Sequence, residues 1–568
     1  MTTRSFVFAL AACASAFAFE RTALGQATTV PQKGPLPEER IEPFTGPAPE
    51  GWWNDAVFYE VFVRSFADST RGPLAGDGVG DLRGLIERLD YLNDGDPGTD
   101  TDLGVTALWL MPISPSPSYH GYDVTDYTGI NPQYGTKEDF LDLMEACRTR
   151  GIRVILDLVL NHCAAEHPWF KAAAADPADP KRGWFIWRDQ KPGYRGPWNQ
   201  EVWHPVKPRD AAGPFFYGCF GRHMPDLDYT NPEVTREAFA IADFWLKEAR
   251  ADGFRLDAIR HLVENGPRQD NTRATHDWLK GFYRHCRSAC PDAFLVGEVW
   301  SDHAAIAPYI GDKLDSCFDF PLAQAILDAL NRGAAAPLAA TAAAGWSAFP
   351  RNTASTFITN HDQPRAMTAL KNDPARARLA AGLLLTLPGV PFLYYGEEIG
   401  MRGDKPDPAI RTPMRWDATA TVGFTTGRPW SPLSPDDGEV VNVAAQSGDG
   451  GSLLSAYRRL VRLRLGEPAL RRGDFTVVPS DHAGVFAFAR SVAGVGGGEG
   501  EGATLLVVAN MTGAPVRNYG LALERALGAR RAARVEGAMD LLSNTVAGAG
   551  PTPVAELAAR GMVVLRLR

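Results

Sequence analysis

The sequence predicts an α/β protein: a (β/α)8 barrel with an irregular insert after its third strand, followed by a C-terminal antiparallel β-sandwich domain. Three observations lead there. Short β-branched apolar runs alternate with amphipathic helical patterns, as in a parallel sheet covered by helices. Eight such runs can be counted, the number a closed barrel needs. Three of them stop at a carboxylate followed by a turn: Asp257 in GFRLDAIRH, Glu298 in FLVGEVW and Asp362 in TFITNHD. An apolar run that ends on a charge is not continuing a core, because an unpaired buried charge costs several kcal/mol, so the carboxylates are held for chemistry.

The elements follow in order. VFYEVFV (57–63), VTALWLM (105–111) and IRVILDLVL (152–160) read as the first three strands. Between them, DLRGLIERLDYL (81–92) has helical period, and EDFLDLMEACRTRG (138–151) is a helix closed by glycine. From Cys163 to about Pro232 the rhythm is lost in Trp, Phe, Pro, Gly and charges; a stretch of this length inside a domain is a functional insert. The rhythm resumes with the helix REAFAIADFWLKEARADG and the strands GFRLDA, FLVGEV, SCFDF, TFITN and VPFLYY. Beyond Leu465 the runs DFTVVPS, GVFAFAR, TLLVVAN and GMVVLRLR read as antiparallel strands, with Gly494 to Gly502 as a flexible hairpin connection. The expected division is barrel 51–162 and 233–465, insert 163–232, and β domain 466–568.

At 568 residues with a 45% apolar fraction, the chain has the composition of an ordinary globular protein of several domains. A net charge of −9 without long Lys or Arg runs argues against nucleic acid as a partner. The 14 Trp, 28 Phe and 15 Tyr suit the apolar faces of sugar rings, although most large aromatics in any protein fill core. Residues 1–27 have a short cationic start, an uncharged stretch from Ser5 to Phe19 and a small-x-small end at Ala27, which predicts an export signal, followed by a Pro-rich leader to residue 50. The rival reading is a lipoprotein box ending at Cys13. No later run is long enough to span a membrane. Cys163 and Cys219 share the insert and form a candidate pair, with free buried thiols as the default for a protein of this size. The sequence leaves oligomeric state open.

Two carboxylates flanking a bond, with a third nearby, are what acetal cleavage through an oxocarbenium-like transition state requires. Arg255 lies two residues before Asp257 on one strand face, so its charge is expected to keep Asp257 ionised. Glu298 has no cation beside it in sequence, which suits a raised pKa.

DLVLNH (157–162), GFRLDAIRH (253–261), GEVW (297–300), FITNHD (357–362) and, in the insert, MPDLD (224–228) occur in the order that marks the α-amylase family of retaining glycoside hydrolases. The chain resembles that family over roughly residues 52–568. The resemblance implies Asp257 as nucleophile, Glu298 as acid and later base, and Asp362 as the ligand of the sugar 2-OH and 3-OH, with the Asp257 and Glu298 carboxyl groups about 5–5.5 Å apart. It implies substrate contacts by His120 and Tyr122 of SYHGYD, His162, Arg255 and His361, and a supporting role for Asp157 beneath Arg255. Arg365, Arg411 and Asp407 are candidates for more distant subsites, with surface ion pairs as the plain alternative. Asn161, Asp226 and the carbonyl of His261 match the family's Ca2+ ligands. Asp68, Asp77, Val79 and Asp81 form a second candidate Ca2+ loop, longer than the usual form and without its Asn; the alternative is a turn in which Asp81 caps the following helix.

Ala258, His261, GEVW and MPDLD favour α-1,4-glucan hydrolysis as in α-amylases, whereas NHDQPR, RTPMRWD and VNVAAQ resemble the oligosaccharide-acting members. The alternative is thus an exo-acting α-glucosidase or a maltodextrin transglycosylase, and a remote one is a non-catalytic glucan-binding or transporter-associated relative.

Overall fold

In the computed structural model the first three strands, β1 (Phe58–Val61), β2 (Ala107–Leu110) and β3 (Arg153–Leu158), lie side by side and parallel. The structure describes residues 40–207, 213–492, 503–528, 532, 535, 538–543 and 552–567. The expected export signal, Cys13, most of the leader and the Gly494–Gly502 connection lie outside the described residues.

After β3 the chain enters the insert. Rather than lacking regular structure, it carries a helix, Pro168–Ala175, and a small antiparallel sheet of β4 (Trp187–Arg188), β5 (Trp203–Pro205) and β6 (Phe215–Tyr217). Strands of two or three residues are too short to show a period, so composition hid them. The barrel continues with β7 (Gly253–Leu256), β8 (Phe294–Gly297), β9 (Ser316–Phe318), β10 (Ala354–Thr356) and β11 (Val390–Tyr394). Each pairs in parallel with its neighbour, and β11 pairs with β1, closing the ring. The seventh barrel strand thus ends at Thr356, ahead of the predicted 356–360, which leaves Asn360, His361 and Asp362 on the loop beyond it.

The pleat sorts the side chains. Phe58, Trp109, Ile155, Phe294, Val296 and Phe392 fill the barrel interior, while Tyr59, Leu108, Val154, Phe254 and Leu295 face the surrounding helices. Following the inward row toward the carboxyl ends brings up Glu60, Asp157 and Arg255, and the register sets Asp157 level with Arg255. Gly253, at φ +151, lets β7 start against β8: a Cβ there would meet the Phe294 carbonyl oxygen at 2.0 Å.

The C-terminal strands β12 (Asp474–Val478), β13 (Val485–Ser491), β14 (Thr504–Asn510), β15 (Met539–Asp540) and β16 (Met562–Leu567) form one antiparallel sheet in the order β12-β13-β14-β16-β15. One face, with Phe475, Phe488, Leu505 and Val507, joins the core around the barrel helices; the other, with Val485, Leu506 and Val508, packs on Val516, Tyr519 and Leu521. The expected second sheet of a sandwich is therefore replaced, among the described residues, by a short helix, Leu523–Leu527, and chain held through single bridges such as Val516 to Leu557. Among the described residues no helix is long and apolar enough to cross a membrane.

Candidate active site

The inward row of β1, β3 and β7 converges at the barrel mouth with the loops after β8 and β10. Arg255, 1% exposed, is the hub. Its Nη1 donates to Asp157 Oδ1 at 2.9 Å and to Asp257 Oδ1 at 2.7 Å, and its Nη2 donates to Glu298 Oε2 at 2.8 Å. One guanidinium therefore grips both carboxylates that the sequence singled out, and a fully buried third carboxylate neutralises it from below. Ala258 takes a left-handed conformation, φ 49, directly after Asp257, and its N–H donates to Glu298 Oε2 at 3.1 Å. A non-glycine residue in that region costs about 1–2 kcal/mol, spent here on aiming a backbone donor at Glu298.

Electrostatics separate the two acids in the expected order but by another route. Burial pushes Glu298 up to about 7 even though Arg255 touches it, so the cation that sequence placed only beside Asp257 serves both. Burial also lifts Asp257, to about 6, against the pull of Arg255; it is not held low as the sequence suggested. Their side chains are 12% and 15% exposed, so both still reach the cleft.

Asp362 behaves oppositely. Burial raises it, but the charges of His361 and Arg411 outweigh that and hold its carboxyl far below the usual range. Arg411 Nη2 donates to Asp362 Oδ1 at 2.7 Å and its Nε to the His361 carbonyl at 2.8 Å. His361 is desolvated, yet Asp362 and Glu60 on either side raise it to about 10; Glu60 Oε1 is 2.5 Å from Nδ1 and Asp362 Oδ2 is 3.2 Å from Nε2. With both ring nitrogens protonated, Nε2–H also reaches Tyr122 Oη at 2.7 Å, which frees the tyrosine proton for Asp157 Oδ2 at 2.9 Å. Trp109 Nε1 donates to the same oxygen at 3.2 Å. Asp157 is thus a fully engaged support, as expected.

His120 and Tyr122 sit in this row, their rings 6.1 Å apart, and burial takes His120 down to about 4. His162 is placed differently from a substrate contact: it is 2% exposed, burial takes it down to about 4, and its Nε2 is engaged by the Tyr122 carbonyl at 3.1 Å. Arg365 lines no subsite either, being 1% exposed and bonded to the Tyr395 carbonyl. Two members went unpredicted or misjudged: Glu60, inside an apolar strand and with no motif around it, and Arg411, read as distant although it binds Asp362.

The two candidate Ca2+ sites differ in how their oxygens are used. Asp226 is buried, accepting from Cys219 N–H at 2.9 Å and Asn161 Nδ2 at 2.9 Å, and burial pushes it well up. Asn161 Oδ1 beside it is buried with no partner among the described residues. A carboxylate and an orphaned amide oxygen between barrel and insert suit a hard cation. In the other loop each carboxylate accepts from backbone N–H. Asp68 accepts from Gly76 and Gly78 N–H, and Asp77 from Val79 N–H. Asp81 accepts from Ser69 N–H and caps the helix Leu82–Glu87 through Gly84 N–H, as the alternative reading of this loop expects. Cys163 and Cys219 are both buried free thiols rather than a pair.

Residues 60–473 match the family described as alpha amylase, catalytic domain. The chain is 39% identical over 444 residues to alpha-amylase 3 of Dictyoglomus thermophilum, covering 77% of this chain and 83% of that one. It is 34% identical over 527 residues to the trehalose synthase/amylase of Mycobacterium tuberculosis, covering 83% of each. It is 30% identical over 525 residues to the probable oligo-1,6-glucosidase 2 of Bacillus subtilis, covering 77% of this chain and 88% of that one. The crystal structure of the alpha-amylase from H. orenii superposes with a TM-score of 0.77 at 35% identity, covering 90% of this chain and 99% of that one. With its closed parallel barrel and carboxylates gathered on one arginine, the chain belongs to the alpha-amylase catalytic-domain family of glycoside hydrolases.

Proposed function

We propose that the protein is an exported retaining hydrolase of α-1,4-glucosidic bonds in starch or maltooligosaccharides. The observation that carries this reading is the single guanidinium of Arg255 bonded to both Asp257 and Glu298 at the mouth of the barrel. In this reading Asp257 attacks the anomeric carbon while Glu298 gives its proton to the leaving oxygen, forming a β-linked glycosyl-enzyme. Glu298, now ionised, takes a proton from water, which attacks the same carbon, breaks the bond to Asp257 and restores the α-configuration. Asp362, kept ionised by His361 and Arg411, accepts hydrogen bonds from the sugar's 2-OH and 3-OH.

Asn161, Asp226 and the His261 carbonyl would hold Ca2+, which when bound serves as a structural tie between insert and barrel. Export rests on residues 1–27. An exo-acting α-glucosidase or maltodextrin transglycosylase is the second reading, favoured by the Asp362–Arg411 pair and by relatives named for trehalose synthase and oligo-1,6-glucosidase activity. A chromogenic maltoside tests the chemistry: Glu298→Gln should lower kcat by about 10²–10⁴. A protein that only binds glucan would show no turnover to lose, and its affinity would survive the change.

A further inference from the structure

Glu60 is a buried acid to which the proposed reaction gives no part. It lies on β1, 2% exposed, and the register sets it between Trp109 of β2 and Tyr394 of β11. A carboxylate dried to this degree needs a cation beside it or gives up its charge. Tyr394 and Glu397, which face it from the β11 side, have partners of their own in the Ile410 carbonyl and the Tyr457 hydroxyl. The ion pair of Glu60 is with Nδ1 of His361, 2.5 Å away.

The other nitrogen of that ring faces the sugar-binding side. Nε2 lies 3.2 Å from Asp362 Oδ2 and 2.7 Å from Tyr122 Oη. With one proton fixed on Nδ1 by Glu60, a neutral imidazole would turn a bare lone pair at Nε2 toward the Asp362 carboxylate. The Tyr122 hydroxyl would then donate to Nε2, and Asp157 Oδ2, 2.9 Å from that hydroxyl, would lose a donor. Asp157 is the anion beneath Arg255, whose Nη1 also comes within 3.5 Å of Tyr122 Oη. A second proton on His361 removes both conflicts. The charged and titratable groups facing His361 are Glu60 from β1, Tyr122 from the loop after β2, Asp157 from β3, Arg255 from β7, Asp362 on its own loop, and Arg411, which donates from Nε to the His361 carbonyl. The two carboxylates touch the ring itself, whereas the two guanidiniums reach only its backbone and Tyr122.

We propose that Glu60 is a positioning residue: its charge keeps His361 doubly protonated, and His361 in turn orients Asp362 toward the sugar and the Tyr122 hydroxyl toward Asp157. The inference rests on the assignment of Asp257, Glu298 and Asp362 made above and deepens it. It adds an acid that touches neither the sugar nor the reacting atoms, yet sets the charge of groups that do.

Glu60→Gln tests this, because it keeps the shape and an acceptor for Nδ1–H while removing the charge. The unsubstituted protein and the variant are compared on a neutral chromogenic maltoside from pH 5 to 9, as the ratio of their kcat/KM values at each pH, so that limbs common to both cancel. At the acid end His361 is protonated in both, and the variant should be closest to the unsubstituted protein. Without the Glu60 charge the ring should lose its second proton inside this range, nearer the ordinary histidine value of about 6.5, and the ratio should fall about tenfold toward the alkaline end. A merely structural loss would leave the ratio independent of pH. Nitrogen-15 spectra of histidine-labelled protein read the ring directly. In the unsubstituted protein His361, identified by its absence from the spectrum of His361→Gln, should keep both ring protons across the whole range. In Glu60→Gln it should lose one. A ratio that stays flat, or a His361 ring already neutral at pH 7 in the unsubstituted protein, overturns the role of Glu60 while leaving the chemistry intact; the second result needs no variant of Glu60 to fold. No turnover by the unsubstituted protein overturns the catalytic assignment and this inference with it.

Discussion

Arg255 shows how one residue sets the behaviour of several. It is buried with Asp157, Asp257 and Glu298, so negative charge exceeds positive around it, and a proton kept by one acid reduces the excess. Burial makes Glu298 the better holder, at about 7, and Asp257 the weaker, at about 6. Hydrolysis needs Asp257 ionised and Glu298 protonated. The rate should therefore rise as pH climbs through about 6 and fall as it climbs through about 7, giving a narrow bell in kcat/KM for a neutral maltoside. Asp362 adds no limb in that range, since its proton is lost far below it. A profile that stays flat from pH 5 to 9 would argue against this division of roles.

At the scale of single elements, the helix read as 81–92 is split by Arg88 into Leu82–Glu87 and Leu89–Leu92. Six residues hold few intrahelical bonds, so the first piece depends on its cap and on the burial of Leu82 and Leu85. Asp81 serves Gly84 N–H with one oxygen and Ser69 N–H with the other, joining the helix start to the Asp68 loop. Asp81→Ala should cost about 1–2 kcal/mol in urea unfolding, through loss of the cap and an unpaired buried N–H. Its response to chelators should match that of the unsubstituted protein if Ca2+ is held at Asn161 and Asp226, and a lost response would place an ion in this loop. The helix opened by Pro232 likewise continues differently from its periodic pattern: a π-helical turn, Phe244–Glu248, follows Asp243 and seats Trp245 under the barrel, its Nε1 bonded to the Tyr127 carbonyl at 2.8 Å.

On the scale of the molecule, buried hydrogen bonds tie the insert to the barrel, among them Tyr217 to Gln269, Tyr229 to the Leu160 carbonyl and Asn161 to Asp226. Ca2+ there would be linked to folding, since the unfolded chain gathers no such oxygens. Chelation should lower Tm, and added Ca2+ should restore it. In Asp226→Asn the chelator should have no further effect. An identical chelator response in that variant would place the ion elsewhere.

Barrel class, strand order and the three acids were legible in the sequence because each depends on local pattern: a period of two, β-branched runs, and a charge where an apolar run stops. Glu60, Arg411 and the split use of Arg255 were not, because their partners lie 301, 49 and 43 residues away and only barrel closure makes them neighbours. The missed short strands of the insert and the second layer expected over the C-terminal sheet have a related cause: bridges of one to three residues leave no periodic trace. Sequence alone thus determined which chemical groups the protein carries and the scaffold that holds them. Tertiary structure decided which charges share a partner and how far each is dried, since these follow from distances through space that no spacing along the chain encodes.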